Sequence, residues 1–481
     1  MEMPPTDAVV LENFVPYPDR LELRPGYALH KTGSTQPVDR LHVYSSLSGV
    51  DTLWATTDAG VFDVTSPGAW PAAAVALTDG KTIGSILSTG AANFLTLVNG
   101  VDSAVQYNGA TWSQIPTFGT IPTSMYSYIE TYRQKYYLIR KNTLVIDYLD
   151  TNKIQGAPLN TEPWNIGSLF RRGGYLVALG TWTIDGGTGS DDHLVAVTSQ
   201  GEIAVFTGTD PGNISTWAFK GVFYIGRPLG PKPLFKYGGD LLYLGENGLF
   251  PLSKALLVAS LDRTQSVSRK IAQTFATAGL AYFTNEGWEI TSLPDIPLVL
   301  VNVPGAPVRY QYVMHAQTGS WSIYTGWPAR CFARLGALIY YGTDTGVCQV
   351  TGNNDDSKNI VGTMLQAYSK LGFSRAKKIQ EIRPMFQANG TFSYTMGVSR
   401  DFREVRDPNT IPGSISGNAA LWGTGIWGTS IWQGADEITR EWRSVSDDYS
   451  TWKAFYLQVA SNQSRVKYLG ADFLATDGGS F

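Results

Sequence analysis

Short apolar runs of four to six residues alternate with tight polar turns along most of this chain. The alternation is densest between His193 and Lys254, which reads HLVAVTSQGEIAVFTGTD, then STWAFKGVFYIGRPLG, then LFKYGGDLLYLGENGLFPLSK. The turns Ser199-Gln200-Gly201, Gly238-Gly239-Asp240 and Glu246-Asn247-Gly248 predict β-hairpins, because such turns need Gly or Asn at positive φ. A strand–turn–strand unit repeated over hundreds of residues is how the blades of a β-propeller are written.

The repeat predicts hairpin units from about Tyr27 to Val350. In chain order they are LHVYSSL with DTLWATTDAGVFDV, NFLTLVNGVDSAVQYNGATWSQI, KYYLIRKNTLVIDYL, and YLVALG with HLVAVTSQGEIAVFTG and STWAFKGVF. LFKYGGDLLYLGENGLFPLS, PLVLVNVPGAPVRYQYVMHAQTGSWSIYTG and RCFARLGALIYYGTDTGVCQV follow, the last as a seventh or partial blade. NGATW, NISTW and TGSWS put Trp112, Trp217 and Trp321 105 and 104 residues apart (217 − 112 and 321 − 217). That is about two blades each, so these tryptophans are expected to pack between blades; ligand stacking is the minor reading.

Residues 1–26 read as an extended arm, since Pro4, Pro5, Pro16, Pro18 and Pro25 forbid regular helix and interrupt any sheet. Residues 253–281 carry the best helical periodicity, with Leu256, Ala259, Ile271, Phe275 and Ala278 on one side. Arg263, Arg269 and Lys270 fall on its solvent face, where an acidic neighbour is the sharper alternative. Asn353–Ser357 reads as a polar linker between a propeller over 27–352 and a second domain over 353–481. There, longer apolar strands over 360–405 and 438–475 predict a β-sandwich-like domain. Between them ALWGTGIWGTSIWQG spaces Trp422, Trp427 and Trp432 five apart. The Gly-rich loop either tucks under its own sheet or docks on a partner, and these three residues are the candidate partner interface. The expected fold class is all-β: a propeller of six or seven blades with an additional C-terminal sandwich-like domain.

Charged residues make up only 16% of the chain, against roughly 25% in ordinary soluble domains. So little charge suggests that neighbouring subunits cover part of the surface. A net charge of −3 supplies no excess of cations to recruit nucleic acid. The N-terminal sequence has no basic n-region followed by an apolar core, so no signal peptide is expected. No stretch approaches the roughly 20 apolar residues of a membrane helix.

Cys331 and Cys348 are expected on strands flanking a middle one, about 9–10 Å apart, too far to bridge and buried as small apolar groups. His30, His42, His193 and His315 stand in no metal-binding spacing. Neither a nucleophile elbow nor a phosphate-binding loop is present. Asp185, Asp191 and Asp192 form an acidic loop without calcium-loop order, and read as a solvated turn. The doublets Arg171-Arg172 and Lys377-Lys378 read as surface. No catalytic, cofactor or metal residue is assigned.

Several segments, in order, resemble the tail hub or nozzle proteins of short-tailed bacteriophages, also called packaged-DNA stabilisation proteins. NFVPYPDRLELRPGY is similar to the family's opening, with its LRPG turn. VAVTSQGEIAVFTGTDPGNISTWAFKGVFYIGRPLG resembles its central blade, and GENGLFPLSKAL its PLSK element. QYVMHAQTGSWSIYTGW resembles a late blade and YLGADFLATDGG the C-terminal ending. The resemblance implies a propeller subunit of a hexameric ring below the portal and adaptor. That ring extends the DNA channel, retains packaged DNA and anchors tail fibres or spikes, without enzymatic activity or cofactor. Its partners would be copies of itself, the adaptor, fibre or spike proteins, and double-stranded DNA passing without sequence readout. Its place would be the virion tail, assembled in the host cytoplasm. A receptor- or glycan-binding tail protein using the tryptophans is the alternative, and a glycan-active propeller enzyme a more distant one.

Overall fold

In a computed structural model, the structure describes residues 7–159, 164–183, 192–255, 265–293, 296–372, 375–402, 411–415 and 437–478. Trp422, Trp427, Trp432, Leu256, Ala259, Arg263, Asp185 and Asp191 lie outside the described residues.

The chain is a β-propeller joined to a β-sandwich. Seven sheets follow one another. Blade 1 is Arg40–Ser45, Asp51–Thr57 and Gly60–Asp63. Blade 2 is Ile83–Ser88, Asn93–Val98, Ala104–Tyr107 and Trp112–Ile115. Blade 3 is Tyr126–Tyr132, Lys135–Arg140, Val145–Tyr148 and Trp164–Asn165. Blade 4 is Leu176–Thr183, Asp192–Thr198, Glu202–Gly208 and Trp217–Tyr224. Blade 5 is Leu234–Tyr237, Asp240–Gly245 and Gly248–Pro251, and blade 6 is Glu289–Leu293, Leu298–Val303, Tyr310–His315 and Trp321–Tyr324.

Blade 7 is Cys331–Leu335, Leu338–Gly342 and Gly346–Val350, and its outer strand is Tyr27–Thr32 from the far end of the propeller sequence. That exchange closes the ring. The first strands of consecutive blades pack on one another from blade 2 to blade 7, and that of blade 7 on blade 1. Blades 1 and 2 meet through Tyr44 and Trp54 against Tyr107, ring centroids 4.9 and 4.8 Å apart.

The hairpin turns follow from the glycines. Gly201, Gly238 and Gly248 have φ of +83°, +59° and +127°, values an L side chain adopts only at a cost. A Cβ on Gly201 would also fall 2.2 Å from the Gly226 carbonyl. Among the described residues, blade 5 has three strands. Val267 N–H donates to Leu249 O (2.9 Å) and Leu249 N–H to Ser268 Oγ (3.1 Å), so Ser266–Ser268 takes the outer place. The helix Ala272–Ala281 then buries Phe275 and Ala278 against Trp288 and Tyr312, while Arg269 and Lys270 stay exposed.

In the sandwich, one sheet is Ala8–Glu12, Ile360–Gln366, Lys453–Ser461, Phe392–Arg400 and Ile411–Ile415. The other is Phe14–Pro16, Leu21–Leu23, Lys467–Asp477, Lys377–Ala388 and Glu437–Arg440, with Arg443–Ser444 paired to Lys377–Ala388. Burial along Lys377–Ala388 alternates, residue by residue, over most of its length, the mark of a strand with one face in a core. Phe14, Leu23, Met364, Ile382, Phe386, Met396, Leu457 and Val459 fill the space between the sheets.

Pro4 and Pro5 lie outside the described residues, and residues 7–26 of the expected arm are part of the sandwich. The arm's strands enter both sheets, with Phe14 and Leu23 fully inside. The prolines do not prevent this, because Pro16 ends its strand and Pro18 and Pro25 lie between or after strands, where a missing N–H costs no ladder bond. Among the described residues, no helix is long and apolar enough to cross a membrane.

Candidate functional site

The most elaborate polar arrangement lies at the seam where the chain enters and leaves the propeller. Tyr27 pairs with Val350, so Arg24–Gly26 and the 351–355 segment leave side by side. Gly26 N–H donates to Gly352 O (3.0 Å), and Tyr27 N–H to Asn354 O (2.9 Å). Between them Arg24, 1% exposed, makes a two-pronged bond with Asp355, Nη1–Oδ1 2.9 Å and Nη2–Oδ2 2.6 Å. Its other donors reach Asn13 Oδ1 (2.8 Å), Pro25 O (3.0 Å) and Thr325 O (2.6 Å). The guanidinium also lies 5.3 Å from the Trp327 ring centroid, a cation–π contact. Asn13 completes the knot by accepting from Thr325 N–H (2.8 Å) and donating to Val361 O (2.8 Å).

A buried guanidinium must have its charge and donors satisfied, and here blade 6, the arm and the start of the sandwich all contribute. The segment expected as a polar linker thus holds a buried anion. Gly26 is required by space, since a Cβ there would fall 1.9 Å from Asn354 O.

Beside the seam, where Ala8–Glu12 parts from blade 6, a cleft of about 530 Å³ opens between propeller and sandwich. Leu11, Trp321 and Phe473 form apolar wall, and Tyr17, Arg20 and Lys270 polar rim. The charges there are already paired: Lys270 with Asp7 (3.2 Å), and Arg20 with Asp19 (3.1 Å) and Glu22 (3.3 Å). Lys270, expected on a solvent face with an acidic neighbour as the alternative, is exposed and paired with Asp7 of the same chain.

A second group of charges lies on, or just before, the first strands of the blades. Burial pushes the Glu130 carboxyl on the first strand of blade 3 up to about 7, against the pull of Lys236 on blade 5. Lys232 pairs with Glu289 (3.6 Å) and Arg40 with Glu286 (3.1 Å). Arg330 bridges Asp39 (2.9 Å) and Asp344 (3.0 Å). Apart from Arg330–Asp344, which lies within blade 7, these are ties between blades; nothing in the sequence pattern marked them, because their partners are brought together only by ring closure.

Trp112, Trp217 and Trp321 each open the outer strand of a blade. Trp112 packs edge-on against Trp54 (5.1 Å) and Trp217 against Trp164 (5.5 Å), so at these two positions the repeat is interblade packing, while Trp321 stands in the wall of the cleft. Both cysteines are unbridged and buried on strands either side of Leu338–Gly342. Burial raises the Cys331 thiol to about 12 and that of Cys348 to about 11.

His42 is buried with Nε2 2.7 Å from Thr82 Oγ1, and its pKa lies well below the usual value because of burial and the cations Lys232 and Arg40. His30 meets Val64 O at 2.8 Å, His315 sits edge-on to Tyr17, and His193 lies beside Trp182. Asp192 accepts from Thr183 Oγ1 (2.7 Å). Lys377, expected at the surface, is buried instead, because it faces the sandwich interior beside Lys453. No group of three or more metal-binding side chains forms among the described residues.

No family model matches the chain, and no curated protein matches it. Among solved structures the chain is similar to BBS1N, determined in complex with ARL6DN and soaked with mercury, at 10% identity and a TM-score of 0.40, over 68% of this chain and 96% of that one. It is also similar to YCF48 bound to D1 peptide, at 12% identity and a TM-score of 0.36, over 73% of this chain and 99% of that one.

Proposed function

We propose that this chain is a structural subunit of a ring-shaped tail hub or nozzle of a short-tailed phage. The ring extends the DNA channel below the portal and adaptor, retains packaged DNA and carries fibres or spikes. The observation that carries this reading is the placement of the family-like segments. NFVPYPDRLELRPGY supplies Asn13, Arg24 and Gly26 of the seam. GENGLFPLSKAL spans the turn, last strand and short helix of blade 5, and YLGADFLATDGG the last sandwich strand. The first of these segments thus supplies residues that join propeller and sandwich, while the second lies within a blade and the third within a sandwich sheet.

Two further points support it. The first strands of consecutive blades pack on one another from blade 2 to blade 7 and from blade 7 to blade 1. In this reading the passage for duplex DNA, about 20 Å across, is formed between copies. The weakly charged composition suits burial between those copies.

Cryo-electron microscopy of the chain in its native particle tests the proposal. The expected result is a sixfold ring of propellers around a channel about 20 Å or more wide. A lone propeller carrying glycan at its surface overturns it.

A further inference from the structure

Blade 4 presents an outer edge unlike those of its neighbours. Its outer strand, Trp217–Tyr224, is eight residues long, against four in blade 2 and two in blade 3, and among the described residues no strand pairs with its far side. Two other outer edges are already extended by a parallel strand from elsewhere in the chain. Ala8–Glu12 joins blade 6 through Glu12 and Ile323, and Gly68–Ala69 joins blade 7 through Lys31 and Thr32. In this fold, then, a blade edge accepts a short added strand.

The blade 4 edge is also chemically prepared. Ile225 N–H donates inward to Gly201 O (3.1 Å), so the two-residue alternation turns the amides of Val222 and Tyr224 outward. Phe219 is 46% exposed and Ile214, in the preceding turn, 93%. Lys220 sits exposed at a bulge opposite Val205 and Phe206, and Arg172 lies over the Tyr224 ring at 3.7 Å. Neither cation forms an ion pair among the described residues. A lysine on an edge discourages pairing with like-charged or neutral strands, and the same charge selects an acidic one.

We infer that the outer edge of blade 4 is a strand-addition site for an extended segment of a partner protein, apolar in its middle and bearing carboxylates that meet Lys220 and Arg172. The segment pairs with the stretch beyond the bulge, Val222–Tyr224, over as few residues as the internal additions to blades 6 and 7. Main-chain bonds supply the affinity and the carboxylates the choice of partner. This inference stands whether or not the chain forms a phage tail ring.

The test uses the full chain and a fluorescent, end-blocked peptide Asp-Ala-Val-Val-Leu-Glu, the sequence of this chain's own strand on blade 6. Saturable binding in fluorescence anisotropy is expected, weakening as salt rises. Lys220→Glu should weaken it about three- to fivefold. Val222→Pro, which removes an outward donor and leaves the inner ladder intact, should abolish it. Hydrogen exchange should slow at Val222 and Tyr224 when peptide is bound. Lack of saturable binding overturns the inference, as does binding indifferent to both substitutions or protection confined to Trp321–Tyr324. Preference for a DNA oligonucleotide over the peptide at this edge also overturns it. Should Val222→Pro fail to fold, Lys220→Glu, on an exposed side chain, decides the matter alone.

Discussion

Arg24 and Asp355 stand 331 residues apart and meet in two parallel hydrogen bonds inside the seam between propeller and sandwich. One precedes the strand that closes the ring; the other follows the strand it closes against. The pair therefore ties both chain crossings into the sandwich with a single buried contact.

Removing one member leaves the other charged, buried and unpaired. Arg24→Met should cost about 3–5 kcal/mol in urea denaturation. Adding Asp355→Leu should recover a good part of that loss, because the pair's net contribution is much smaller than the cost of breaking it. If the double variant is no more stable than the single, the loss comes from Asn13 and Thr325 losing their partner and not from a stranded Asp355.

Gly26 makes a steric prediction at the same seam. Gly26→Ala places a methyl against the Asn354 carbonyl, 1.9 Å away. The backbone must then separate, at about 1–3 kcal/mol or more. Gly239→Ala is the control, since nothing lies within 4 Å of its Cβ position. Thermal unfolding should separate the two variants by several degrees; equal midpoints would mean that the seam yields.

The blades were legible because each is local: a hairpin writes its own turn glycines and its own alternation within some twenty residues. Phe275 and Ala278 were legible for the same reason, as helical periodicity is local too. The fate of the arm was not. AVVLE looks the same whether it is free or paired with strands more than 300 residues away, and proline spacing speaks only to the residues it occupies. Arg24 and Asp355 were likewise invisible as a pair. An arginine in LRPG and an aspartate in NNDDS both read as solvated polar residues until ring closure brings them together.

The cysteines give a chemical check on burial. With thiols raised to about 12 and 11 by burial, neither supplies thiolate near neutrality. Iodoacetamide at pH 8 should leave the native chain unmodified and add two groups after denaturation, as intact mass will show. Rapid native labelling of Cys348 would mean that blade 7 opens at its closing strand.

Glu130 makes the stability of the propeller depend on pH. Its carboxyl is raised to about 7 by burial, with Lys236 pulling the other way. In the unfolded chain it titrates near its ordinary value, about 4.3. A group raised on folding contributes fully below the unfolded value, and that contribution is lost as pH rises toward the folded one. The native chain should therefore lose stability between about pH 4.5 and 7 on this account, by about 1–2 kcal/mol once partial access to water is allowed for. Glu130→Gln has no proton to lose. Its unfolding free energy relative to the native chain should climb across that window and level off above it. Denaturation at half-unit pH steps measures this directly. Parallel curves for the two proteins would mean that Lys236 holds Glu130 ionised throughout, and that its site is wetter and more strongly paired than its packing implies.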